Sequence, residues 1–255
     1  MPESPVVLPP PTPPPLWLRP TLLRSWTEFV IVAALLMALP IRSSTSAALQ
    51  GSSGDFVQLL LTNNHLLGTI LVEAAMLSAF LFYLHWRGWR PTDFHLRIGV
   101  VSSLQGIGLL LVAYLAAMVT LFSILGLAYL FDGPRYFHSF IAQASSHLTR
   151  HSIHVSWVVV IVSMVVNAFM EELICMGYIF NQLAARWGPK AALGITVFLR
   201  AACHTYQDPV HLAGIVMLFT VFGVAYWYTR KLWPLVFAHM LLDIGSVSAI
   251  KLLAG

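Results

Sequence analysis

The sequence predicts an all-α fold: a polytopic integral membrane helical bundle of about seven transmembrane helices. Three observations lead there. Hydrophobic residues make up 58% of the 255 residues and charged residues only 9%, and the mean hydropathy is +0.78. Soluble domains carry roughly 25% charged residues, so this chain lacks the polar side chains to cover a globule of its size in water. The apolar residues fall into seven runs, near 26–42, 66–86, 105–131, 155–182, 189–205, 209–229 and 233–253. Most are close to the roughly 20 residues that cross a bilayer. Lysine and arginine collect at the ends of these runs, where they set the orientation of membrane spans.

The elements follow in order. Residues 1–20, MPESPVVLPPPTPPPLWLRP, are proline-rich, and proline blocks both helix and sheet hydrogen bonding. Residues 1–25 therefore read as a disordered tail, and 26–255 as a single helical membrane domain. The first run is short for a span, and its long proline-rich leader is atypical of a signal peptide. Residues 43–64 hold QGSSGD and then FVQLLL, an apolar stretch too short to cross and read as interfacial. The third run is long enough to tilt or break, and the fifth is short. Asp208-Pro209 reads as a helix cap followed by proline at the first helical position of the sixth run. Cys175 and Cys203 lie in apolar segments and read as small buried hydrophobes. His147, His151 and His154 share one face at helical spacing, an amphipathic interfacial turn.

Charge gives the orientation. With the N-terminus cytoplasmic, nine cations flank cytoplasmic ends: Arg19, Arg24, Arg87, Arg90, Arg97, Arg186, Lys190, Arg230 and Lys231. Four fall outside: Arg42, Arg135, Arg150 and Lys251. Arg200 remains, inside a span. The net charge of +4 is thereby absorbed by topology and points to the lipid bilayer rather than to nucleic acid. The expected location is the cell (plasma) membrane, multi-pass, with the N-terminus in the cytoplasm and the C-terminus outside.

Three clusters of polar residues interrupt the spans. NAFMEELICMGYIF holds Glu171 and Glu172, FLRAACH holds Arg200 and His204, and FAHMLLD holds His239 and Asp243. A charge at mid-bilayer costs about 2.5–3.5 kcal/mol even on insertion scales, so these groups must face one another or a wet cavity. At 1.5 Å per helical residue, Glu172 lies about 21 Å from the level of Arg186, and His204 about 21 Å from Lys190. His239 and Asp243 lie about 12 and about 18 Å from Lys231. The clusters thus share one layer of the membrane. Arg200/His204 and His239/Asp243 are i, i+4 pairs on one helix face. Glu171 and Glu172 diverge by about 100°, so only one of them can sit squarely at a shared centre. Carboxylates and imidazoles in one layer suit the activation of water, and they suit hydrogen bonding to a developing oxyanion. The combination fits hydrolysis of a carbonyl.

These motifs resemble those of the CAAX-protease and bacteriocin-processing (CPBP/Abi) family of intramembrane glutamate proteases. That family begins its pattern with a double Glu and an Arg five residues after the first. A Phe four residues before a His follows, then a His four residues before Asn or Asp. EELICM, RAACH and HMLLD stand at these places, and the resemblance covers about the last 100 residues. It implies that Glu171 is the general base, helped by His204, that His239 and Asp243 bind the oxyanion, and that Glu172 is structural. It also implies a metal-free mechanism, with zinc held by the Glu and His residues as the alternative. Two positions depart from the pattern. Met176 stands at the family's Arg position and Arg200 at its Phe position. Both lie about 15 Å from the cytoplasmic level, so Arg200 is expected to pair with Glu172 from the fifth span instead of the fourth. The implied function is peptide-bond hydrolysis in a membrane-associated protein or peptide. The alternatives are a non-catalytic family member, or a transporter using the same Glu/His cluster.

Overall fold

A computed structural model describes residues 25–50, 62–135 and 155–254. The expectations for the N-terminal tail, for FVQLLL and for His147, His151 and His154 fall outside these residues. The elements are α1 (Trp26–Leu49), α2 (Asn63–Trp86), a 3₁₀ turn (Pro91–Phe94), α3 (Val100–Asp132), α4 (Trp157–Glu172), a π-helical segment (Leu173–Phe180), α5 (Asn181–Ala202), α6 (Pro209–Thr229) and α7 (Trp233–Ala254). No strand occurs among the described residues, and the all-helical membrane fold stands.

Six helical runs are long and apolar enough to cross a membrane. The count differs from seven because α4, the π-helical segment and α5 form one run of 46 residues, Trp157–Ala202. That run is interrupted. Gly188 adopts φ 81°, ψ 162° and is followed by Pro189, a backbone conformation open essentially to glycine alone. The Gly-Pro pair therefore separates the two apolar runs read from the sequence, and two helices meet across a kink there. Helix α1 is longer than its apolar run and continues through Pro40. Polar residues beyond Arg42 extend it because Ser44 and Ala47 are buried against the rest of the molecule. Helix α3 runs unbroken for 33 residues. Asp208 caps α6 by accepting from the backbone N–H of Val210 and His211, with Pro209 at the first helical position.

The helix ends sort into two groups. At one end, Arg87 at the close of α2 pairs with Glu28 of α1, and Arg186 lies over Trp26 and Phe29. There too Arg230 donates to Asn181 at 3.0 Å, Lys231 donates to Gln105 at 3.2 Å, and the N–H of Leu232 reaches the carbonyl of Phe94. At the other end, the N–H of Ser156 donates to Asn63 at 2.9 Å, and Lys251 donates to the carbonyl of Val155 at 2.7 Å. Thr205 and Tyr206 meet Ser44 at this second end.

Within the bundle, α3 packs on α6 and α7, α4 on α2 and α7, and α5 on α1 and α6. The Trp157–Ala202 run is the centre and is buried to a greater extent than α2 or α3. Gly223 of α6 permits the close approach of α5, since a Cβ there would meet Leu193 Cδ1 at 2.3 Å.

Candidate active site

The six residues singled out by sequence converge on the junction of α4, α5 and α7. Glu171 and Glu172 close α4, and the helix then widens into the π-helical segment, every residue of which is buried. Asn181 supports this wide turn by donating to the carbonyl of Gly177 at 2.7 Å, and it also donates to Tyr226 at 2.9 Å. Insertions of this kind are frequent at functional sites.

The two glutamates part as their angular separation requires. The Glu172 side chain has 0% exposure and that of Glu171 has 26%. Glu172 receives both arms of the Arg200 guanidinium, Nη1 at 3.1 Å and Nη2 at 2.5 Å. This planar fork on a carboxylate is the geometry that arginine alone offers. Nδ1 of His239 lies 2.9 Å from the same Glu172 Oε1, which makes Nδ1–H the donor to an ionised carboxylate. Arg200 Nη2 also stands 3.6 Å from Glu171 Oε2. Arg200 is 1% exposed, so it faces the protein and not lipid. Met176 is fully buried beside Gly223.

His204 stands just past the end of α5, with its Nδ1 2.8 Å from the carbonyl of Arg200. A carbonyl can only accept, so Nδ1 carries a proton, and in the neutral tautomer the lone pair is on Nε2. Among the described residues Glu171 and His204 make no hydrogen bond to each other. On α7, Asp243 Oδ2 lies 3.5 Å from His239 Nε2 and accepts from Asn167 Nδ2 at 3.4 Å. The i, i+4 spacing of α7 thus works as read. At the rim, burial pushes the Asp208 carboxyl up, but its hydrogen bonds to His211 and to two backbone N–H groups outweigh this and hold it below the usual range.

Three participants were not singled out by the sequence. Phe219 of α6 lies under the site. The Arg200 guanidinium sits 3.6 Å from its ring centroid, and the rings of His204 and His239 pack edge-on at 5.5 and 6.0 Å. Nothing distinguishes Phe219 within an apolar run. Asn167 was legible, because it precedes Glu171 by one helical turn. Glu73 of α2 was also legible as a lone carboxylate inside a span. Its Oε2 is buried without a hydrogen-bond partner.

Among the described residues no three His, Cys, Asp or Glu side chains stand together so as to hold a metal ion.

Residues 153–245 match the family described as Rce1-like, type II CAAX prenyl endopeptidase Rce1-like. The matched segment carries all six site residues and leaves out α1, α2 and α3. No curated protein and no solved structure matches the chain.

Proposed function

We propose, from the premise that residues 153–245 are a segment of the CAAX-protease family, that this multi-pass membrane protein is an intramembrane endopeptidase using a glutamate- and histidine-activated water. The family supports a protease of the CAAX type acting on a membrane-associated substrate in the lipid bilayer. The unequal burial of the two glutamates carries the finer reading. Glu172 is wholly committed to Arg200 and His239, whereas Glu171 keeps an accessible carboxylate beside them.

In this reading Glu171 takes a proton from a water molecule, with the Nε2 lone pair of His204 orienting that water or sharing the proton. The water oxygen bonds to the carbonyl carbon of the scissile peptide. Negative charge moves to the carbonyl oxygen, and His239 and Asp243 receive it. With its Nδ1–H on Glu172, His239 donates from Nε2 when the ring is doubly protonated. Asp243 donates when it holds a proton, and otherwise orients His239. Collapse of the tetrahedral species breaks the C–N bond, and Glu171 returns its proton to the leaving nitrogen. Glu172 and Arg200 hold His239 in place, and Arg200 Nη2 also stands 3.6 Å from Oε2 of the base Glu171.

The test compares the membrane proteomes of cells carrying the wild-type chain and Glu171→Ala. The expected result is a membrane-associated precursor that accumulates uncleaved in the variant. Identical protein termini in both strains would defeat the proposal. Cleavage by the purified wild type should persist in a metal chelator.

A further inference from the structure

An α-helix leaves its last carbonyls without helical partners. Helix α5 ends at Ala202, and His204 stands in the turn beyond it. Something must satisfy and fix that turn, since a loosely held imidazole makes a poor proton acceptor.

Ser44 of α1 is fully buried at 0% exposure, so its hydroxyl must find partners within the protein. Its Oγ accepts from the backbone N–H of Tyr206 at 3.1 Å and lies 3.0 Å from Thr205 Oγ1. Thr205 Oγ1 in turn donates to the carbonyl of Ala202 at 3.3 Å. Because the carbonyl only accepts, each direction in the series follows. Tyr206 N–H donates to Ser44, Ser44 O–H donates to Thr205, and Thr205 O–H donates to Ala202. Each bond polarises the next in such a chain. The relay joins the C-terminus of α5 to the two residues after His204, and it is anchored on a helix outside the family-matched segment. The helix reaches that position only because it continues past Pro40.

We infer that Ser44 is a positioning residue for His204. Acting through Thr205 and Tyr206, it holds the turn so that the imidazole keeps Nδ1–H on the Arg200 carbonyl and leaves Nε2 free to take part in proton transfer. The role of His204 in this statement rests on the protease reading. The relay itself does not.

The test uses the full-length protein in lipid nanodiscs as wild type, Ser44→Ala, Thr205→Val and the double variant. The first readout is independent of activity: the rate of maleimide labelling at Cys203, which adjoins His204, with buried Cys175 as internal reference. Either single variant should raise Cys203 labelling about tenfold, the scale sustained by one or two net hydrogen bonds, and leave Cys175 unchanged. The double variant should be no worse than either single one, because both cut the same relay. The second readout is peptide cleavage: kcat should fall about tenfold in each single variant with KM unchanged. If Ser44→Ala does not accumulate, Thr205→Val alone is held to both expectations. Wild-type labelling in the single variants, or effects that add in the double variant, would overturn the relay. Loosened labelling with kcat intact would overturn its service to His204. If the wild type cleaves no peptide, the protease reading has failed, and the labelling rates still decide whether Ser44 holds the turn.

Discussion

Glu171 and Glu172 are neighbours in the chain and opposites in the structure. Glu172 is fully buried, with its oxygens taken by Arg200 and His239. Breaking a buried pair by removing one partner costs about 3–5 kcal/mol, because the other charge is stranded. Glu172→Gln is therefore expected to lower folded yield more than the turnover of the molecules that fold. Glu171→Gln should fold normally and lose about 10²–10⁴-fold in cleavage rate, the usual worth of a placed general base. Wild-type cleavage by purified Glu171→Gln would remove that residue from the chemistry. Arg200 gives a second expectation. It pairs with Glu172 from α5, while Met176 fills the place on the π-helical segment where the family has Arg. Arg200→Phe should inactivate or destabilise the protein, and adding Met176→Arg should restore cleavage by returning the guanidinium to α4's continuation. Failure of the double variant to recover, with the protein folded, would show that the two positions are not interchangeable.

At the scale of elements, the long central run is shaped by two devices. The π-helical segment begins immediately after the glutamate pair, and Asn181 satisfies a carbonyl within it. The Gly188-Pro189 break lies between the two halves of the run. A Cβ at Gly188 meets no atom within 4 Å, so a substitution there tests backbone conformation alone. Gly188→Ala is expected to destabilise by about 1–3 kcal/mol, the cost of holding a non-glycine residue in that region. Thermal unfolding in detergent measures it, and an unchanged midpoint would mean that the break is not required. Helix α1 shows the complementary case. Its apolar pattern stops near Arg42, yet the helix runs on to Leu49, because buried Ser44 has partners in a turn 161 and 162 residues later in the chain. Local pattern could not supply that contact.

Across the whole molecule, the described cations assigned to the cytoplasm gather at one end of the bundle. Arg87, Arg186, Arg230 and Lys231 each contact a neighbouring helix there, and Lys251 lies at the other end against Val155. We propose, from the positive-inside rule, that the first end faces the cytoplasm. Reporter fusions at Lys190 and Gly255 should therefore report opposite sides of the membrane, the first cytoplasmic. Reporters on the same side would break the common depth on which Glu172, His204 and His239 were brought together.

The helical membrane fold and the six polar residues that meet at the junction of α4, α5 and α7 were legible without any coordinates. Burying a charge in a bilayer is so costly that Glu171, Glu172, Arg200, His204, His239 and Asp243 declare themselves by standing in apolar runs, and helical rise alone brings them to one level. The Asp208 cap was legible for a similar reason, since capping is a local affair of side chain and nearby backbone. Direction and partnership were not local. Spacing alone left open which glutamate turns inward; only the resemblance pointed to Glu172 as the partner of Arg200, and tertiary packing sets Arg200 and His239 around Glu172. Phe219 was invisible because an aromatic ring in an apolar run carries no signal until a guanidinium and two imidazoles are packed against it. Ser44 was invisible because its meaning depends on a contact between the first helix and the end of the fifth. Composition and spacing determine which residues must avoid lipid; only the packing of one helix on another determines which partner each of them finds.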